Sequence, residues 1–298
     1  MAETTQGKRK VRSSRARRPA AASRSQAITT LPPAISAWFA SRGWRPRPHQ
    51  LALLANGRAR QSTLLIAPTG AGKTLAGFLP SLDDLVARPG AERRGAGLHT
   101  LYISPLKALA TDIARNLTTP VSEMGLKVRI ETRSGDTSAS RRQRQRTRPP
   151  DILLTTPEQL ALLLSDEDAG YLFGDLRTIV LDELHALAAS KRGDLLALGL
   201  SRLRRLAPDA IAIGLSATVA RPSELRAYLV PQSAPDDHTA LARFVYAGGG
   251  AVPQISILEA GEHLPWAGHT CSYAVPALLA EIERHRLSLL FVNTRSQA

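Results

Sequence analysis

The stretch QSTLLIAPTGAGKT, residues 61–74, decides the fold. Thr63–Ile66 is a short apolar run suited to a buried parallel strand, and residues 67–74 follow as a loop that opens a helix near Gly72. A glycine-rich turn can aim successive backbone N–H groups at one point, because no Cβ blocks the approach of a phosphate. The helix adds the positive end of its dipole to the same spot. On this reading Thr69, Gly70, Ala71 and Gly72 wrap the phosphates of a nucleotide, Lys73 reaches the β- and γ-phosphates, and the Thr74 hydroxyl ligates Mg²⁺. The strict phosphate-loop pattern begins with Gly, where this chain has Ala67. A chance Gly-Lys-Thr on a loop is the plainer reading, but it does not bring strand, loop and helix in this order.

Upstream, residues 34–57 read as two helical pieces broken by Gly43 and Pro46. Gln50 lies in the first turn of the second. Its amide can pair with both N6 and N7 of adenine, so an adenine-reading role is chemically sensible, and a solvated surface glutamine is the equal alternative. Downstream, apolar runs at 99–104, 128–131, 151–156, 178–181 and 211–215 alternate with helical stretches. That alternation predicts an α/β fold with a doubly wound parallel sheet. Pro80 is expected to bend the helix that follows the loop. The run at 178–181 delivers Asp182, Glu183 and His185 at its C-terminal end, where open parallel sheets bind their ligands. An aspartate there can hold Mg²⁺ through water, and the neighbouring glutamate can orient or deprotonate an attacking water. Five arginines between 141 and 148 read equally well as a solvated helix face or a basic patch.

Composition bounds the partner. The 298 residues carry a formal net charge of +14 and a pI near 10.9, which argues for a polyanion. Residues 1–30 hold eight Lys/Arg against one acid, Glu3, so a tenth of the chain supplies half the excess. Residues 1–27 therefore read as a disordered basic arm. No apolar segment follows those charges, so a secretory signal is not expected, and Pro19 and the serines disfavour an amphipathic transit helix. No apolar run is long enough to span a membrane, and the lone Cys271 fits a reducing cytoplasm. His263, His269 and Cys271 lie close in sequence without a standard metal-site spacing. Residues 231–250, rich in Pro, Gly and Asp, read as a linker. Beyond it, 254–259 and 287–293 read as strands and 275–285 as a helix.

Taken in order, PRPHQ (46–50), APTGAGKT (67–74), YISPLKALA (102–110), SGD (134–136), TTPEQL (155–160), LDELHAL (181–187), SAT (216–218) and LLFVNTRSQA (289–298) resemble the motifs of superfamily 2 DExH-box helicases of the Lhr type. The stretches ETRSGDTSASRRQRQR and LPWAGH further resemble the ligase-associated DNA-repair branch. The resemblance covers about residues 30–298. It implies a RecA-like ATP-binding lobe over 28–230, the linker, and an incomplete start of a second RecA-like lobe over 251–298. It implies that Gln50 reads adenine, that Lys73, Thr74 and Asp182 serve phosphate and Mg²⁺, and that Glu183 acts on water. His185, Ser216 and Thr218 would couple hydrolysis to strand movement. Lys107, Arg133, Thr155 and Thr156 would track the nucleic-acid backbone, through the hydroxyls, N–H groups and cations that phosphate contacts require. DNA is the implied nucleic acid, DNA-repair proteins such as a ligase are the implied partners, and a nucleoid-associated cytoplasmic location follows. Helicases of this group carry an arginine finger on a complete second lobe, whereas this sequence stops at Ala298. The expectation is half an active site, with an ATP- and nucleic-acid-binding module of negligible turnover as the alternative. A small-molecule phosphate-loop kinase would leave SAT, TTPE and the basic arm unexplained.

The arm yields the first test. Deleting residues 1–27 removes eight basic side chains, so nucleic-acid affinity falls and its log–log salt dependence flattens. The loss is the same for unrelated sequences, since such an arm offers phosphate contacts without base readout. Anisotropy titrations at several salt concentrations measure it, and equal slopes for full and trimmed chains would rule the arm out.

Overall fold

Short parallel strands, the inner ones covered on both faces, set this architecture. The computed structural model describes residues 30–88, 97–217, 219–234, 239–249, 254–258 and 272–292. Among them the strands are β1 (Thr63–Ile66), β2 (Thr100–Ile103), β3 (Ile130–Thr132), β4 (Ile152–Thr155), β5 (Thr178–Leu181), β6 (Ile211–Ser216) and β7 (Arg243–Tyr246). They form one sheet in the order β3-β4-β2-β5-β6-β1-β7, with every described pairing parallel. The helices between them are α1 (Pro33–Ser41), α2 (Pro48–Arg58), α3 (Lys73–Ala87), α4 (Lys107–Glu123), α5 (Ala139–Thr147), α6 (Pro157–Ser165), α7 (Ala169–Phe173), α8 (Leu184–Ala188), α9 (Lys191–Leu206) and α10 (Pro222–Tyr228). The doubly wound parallel α/β sheet expected from the alternation is present.

The strand sequences are continuously apolar because successive side chains enter two different cores. Leu64 and Ile66 of β1 join one cluster, and Leu65 between them joins the other. The same division separates Leu101 and Ile103 from Tyr102, and Ile179 and Leu181 from Val180. The first cluster is completed by apolar residues of α6 to α10, the second by those of α1 to α4. Gly214 of β6 shows how tight the first core is. A Cβ there would lie 2.8 Å from Leu184 and 2.9 Å from Leu229.

The sheet edge at the strand C-termini is tied together by main-chain hydrogen bonds. Across it run Arg133 N–H to Leu154 O (2.8 Å), Ser104 N–H to Thr155 O (3.0 Å), Asp182 N–H to Ile103 O (2.9 Å) and Ala67 N–H to Ser216 O (3.2 Å). Every one of these bonds involves a residue of a segment singled out in the sequence. The order β5-β6-β1 gathers Asp182, Ser216 and the 67–74 loop, while β3-β4-β2 gathers Arg133, Thr155 and Lys107.

Three sequence expectations need correction. The stretch read as a linker contains β7, which pairs in parallel with β1. Its Arg-Phe-Val-Tyr run lies at the sheet edge, three of its four residues are exposed, and so it lacks the continuous apolar pattern of the inner strands. The chain divides between Gly249 and Gly250 into two units. In the second, the helix α11 (Val275–Arg284) is present, close to expectation. The described parts of 254–259 and 287–293 are not strands, and Ile255, Ile257, Leu287 and Phe291 are all at least 83% exposed. A strand exists through its ladder, and these segments have no strand partner among the described residues. Residues 1–27, His263, His269, Cys271 and Thr218, given roles from the sequence, lie outside the described residues. No described helix is long and apolar enough to cross a membrane.

The α3 helix runs continuously through Pro80, which packs against Gly57 of α2. A Cβ at Gly57 would fall 2.5 Å from the Pro80 Cβ, and neither a pyrrolidine ring nor a helix backbone yields easily. Gly57→Ala therefore destabilises the fold by about 1–3 kcal/mol through overpacking. Urea unfolding of the variant against the parent chain measures it.

Candidate functional site

The loop after β1 turns on two glycines in the left-handed region, Gly70 at φ 76° and Gly72 at φ 73°. Side chains other than Gly rarely hold that conformation, which is why the Thr-Gly-Ala-Gly spacing is needed here. Ala71 N–H bonds Pro68 O at 3.2 Å and closes the turn, and α3 starts at Lys73. The Lys73 ammonium donates to Ala67 O at 3.0 Å, so it lies folded across its own loop.

Behind the loop sits the first turn of α2. Gln50 is 4% exposed, so it is not a solvated surface residue. Its Oε1 accepts from Arg47 N–H at 2.9 Å, and its Nε2 would stand 3.0 Å from a Cβ placed on Gly72. The two segments singled out in the sequence thus touch. Beside them opens a cleft of about 810 Å³ whose lining includes Trp44, Arg47, Gln50, Gly72, Thr74 and Leu75. Trp44 stands edge-on to Trp38 at 5.6 Å, with the Arg42 guanidinium 5.7 Å from the Trp44 ring. Arg42 in turn pairs with Glu123, which also accepts from Trp38 Nε1 at 2.7 Å. An aromatic wall next to a donor amide and a phosphate-wrapping loop fits a purine nucleotide.

At the end of β5, Asp182 is 5% exposed, and each of its carboxylate oxygens has one donor. One carboxylate oxygen accepts from Glu183 N–H at 2.9 Å, and the other accepts from the Tyr102 hydroxyl. Burial first, and then the Asp182 charge, push the Tyr102 phenol far above its ordinary value, so it remains a donor. Its ring stacks on Phe78 of α3 at 5.2 Å. Glu183 has φ 45°, a strained conformation for a residue with a Cβ, of the kind that gathers at functional sites. His185 Nδ1 lies 3.0 Å from Ser216 Oγ and 3.5 Å from the Glu183 carboxylate. The residues present fit Mg²⁺: the Asp182 carboxylate and the Thr74 hydroxyl are hard oxygen donors. Among the described residues no cluster of three or more His, Cys, Asp or Glu forms an all-protein cage.

At the β3-β4-β2 half of the edge, Arg133, Thr155 and Thr156 are 7%, 0% and 9% exposed, so their side chains are enclosed. Thr155 Oγ1 donates to Arg133 O at 2.9 Å, and the Arg133 Nε and Nη1 are buried without a partner. Burial, and then the nearby Arg142, lower the Arg133 pKa. Lys107 is open to solvent and paired with Asp136 of the SGD turn. That turn is fastened by Arg142, which donates to Gly135 O (2.6 Å) and Thr137 O (2.8 Å). The arginine run is partly neutralised, since Arg141 and Arg144 meet Glu131 while Arg146 meets Asp166 and Asp168. Sequence reasoning did not single out Trp44, and it placed Tyr102 and Asp136 inside quoted motifs without giving either a role. Their signal was available in part, because Tyr102 interrupts an otherwise aliphatic strand and Asp136 follows Gly135 in a turn.

A family model of DEAD/DEAH box helicases matches residues 47–225. The chain is similar to the Lhr helicase/uracil glycosylase of Escherichia coli, at 36% identity over 89% of this chain and 19% of that protein. It is similar to the ATP-dependent helicase Lhr-Core of Methanocaldococcus jannaschii, at 33% identity over 88% of this chain and 32% of that protein. Among solved structures, the Mycobacterium smegmatis helicase Lhr bound to ssDNA and AMP-PNP matches with a TM-score of 0.70 and 34% identity, over 89% of this chain and 34% of that one. The chain thus spans a fifth to a third of the length of these relatives. With its all-parallel sheet, the fold is RecA-like.

The Tyr102–Asp182 contact is testable as structure. Tyr102→Phe keeps the ring on Phe78 but leaves a buried carboxylate oxygen without its donor. The loss is about 1–3 kcal/mol of stability, read by denaturant unfolding.

Proposed function

This chain belongs to the DEAD/DEAH box helicase family, and we propose that it forms the ATP-binding lobe of an Lhr-type, ATP-dependent DNA helicase or translocase. One observation carries the reading: a single cleft is lined by Gln50, Gly72, Thr74 and an aromatic wall. Gln50 and Trp44 receive adenine, residues 69–72 wrap the phosphates, and Lys73 leaves the Ala67 carbonyl for the β- and γ-phosphates. Mg²⁺ held by Thr74 and Asp182 supplies charge neutralisation to the phosphates when bound. Tyr102 and the Glu183 N–H fix the Asp182 carboxylate, and Glu183 orients the attacking water and accepts its proton.

The remaining roles follow from position on the edge. His185 and Ser216, hydrogen-bonded to each other, couple β5 to β6, with Thr218 in the same coupling segment. Lys107 contacts a strand phosphate. Arg133, Thr155 and Thr156 shape the loops that present main-chain N–H groups beside it. Residues 28–230 with β7 make up the first lobe and 251–298 begin a second. DNA is favoured as the nucleic acid because the solved relative carries ssDNA. A place in DNA repair beside a ligase, at the nucleoid, rests on the motif resemblance alone.

Lys73→Ala abolishes binding of a fluorescent ATP analogue while unfolding stays as in the parent chain, because the lysine is not a core residue. Single-stranded DNA, and no metabolite, stimulates whatever hydrolysis the chain supports. Unchanged analogue affinity in the variant would refute the nucleotide site.

A further inference from the structure

His49 precedes the adenine-facing glutamine and has no role in the reading above. It is 7% exposed, and its Nε2 lies 2.9 Å from the carbonyl oxygen of Ala71, in the middle of the phosphate loop. An Ala71 carbonyl oxygen has no proton, so Nε2 must carry the hydrogen and donate. Burial, foremost, lowers the His49 pKa and keeps the ring neutral, with Arg47 adding to the shift and the Ala71 bond opposing it. The donor is therefore a fixed neutral imidazole.

The consequence lies in the peptide plane. The Ala71–Gly72 bond is trans, as are all the described peptide bonds. In a trans peptide the C=O and the following N–H point in opposite directions and cannot turn independently. Holding the Ala71 oxygen towards α2 therefore turns the Gly72 N–H away from α2. At Gly72, with φ 73°, the chain is free enough that this plane could otherwise flip. We propose that His49 is a positioning residue for phosphate recognition: it clamps the Ala71–Gly72 peptide so that the Gly72 N–H faces the phosphates of the nucleotide. Gln50 lies beside the Gly72 Cα, its Nε2 3.0 Å from where a Cβ would be. Consecutive residues of α2 thus divide the work, His49 serving phosphate and Gln50 serving base. The inference rests on the nucleotide reading of this cleft.

The test uses the full chain and separates phosphate from base. Inorganic tripolyphosphate and ATP are titrated against the parent, His49→Leu, His49→Gln and Gln50→Ala, with thermal unfolding of each recorded alongside. His49→Leu is expected to weaken both ligands about tenfold, the worth of one hydrogen bond. His49→Gln restores most of that loss, because its Nε2 sits as many bonds from the backbone as the imidazole Nε2. Gln50→Ala weakens ATP and spares tripolyphosphate. Two outcomes overturn the clamp: tripolyphosphate affinity unchanged in His49→Leu, or equal losses in the Leu and Gln variants, which would make His49 a packing residue. A parent chain that binds neither ligand overturns the nucleotide reading itself and takes the clamp with it.

Discussion

The rest of the molecule depends on hydrogen bonding between parallel strands, most of only four residues. In the inner strands, ladders that short are held by burial of both faces. The chain meets that constraint by sending alternate side chains into two cores, Leu65 to one side and Leu64 and Ile66 to the other. Parallel pairing also means that all the described strands end at one edge. The chemistry-bearing segments are gathered there because the sheet has no other place to release them. The bonds from Arg133, Ser104 and Asp182 join β3-β4-β2-β5 along that edge, the Ala67 bond joins β1 to β6, and His185 with Ser216 links the two stretches.

How much of this was legible in the sequence depended on whether a feature is local. Inner strands could be read because burial on both faces leaves an unbroken apolar run, and the phosphate loop because glycine at two left-handed positions is a local demand. β7 could not, since an edge strand needs only one neighbour and its Arg-Phe-Val-Tyr run is largely exposed. The two segments read as strands in the second unit carry the right residues without a partner to pair with. Pairing is a property of two segments, and one apolar run cannot reveal it. Burial of Arg133 and Thr155 was equally hidden. Both follow apolar runs by a residue or two, and what covers them comes from distant chain: Thr155 Oγ1 donates to the carbonyl of Arg133, 22 residues away.

Charge tells a similar story at longer range. The five arginines between 141 and 148 look like a phosphate-binding patch on paper. In the fold Glu131 takes two, Asp166 and Asp168 share a third, and Arg142 spends its donors on the SGD turn. Surface ion pairs of this kind are individually weak and screened by salt. Their effect here is on loop geometry: the Asp136 carboxylate is brought to Lys107 by a turn whose carbonyls are held from behind. A formal net charge of +14 is thus a poor guide to where this lobe is positive.

The left-handed backbone at Glu183 has an evolutionary consequence. A residue with a Cβ at φ 45° costs the fold about 1–2 kcal/mol that glycine would not. A population selected for heat tolerance alone would gain from Gly at this position. The carboxylate in the acidic pair would be the casualty. Keeping a side chain with a Cβ at this position therefore costs the fold stability that packing of the two cores has to cover.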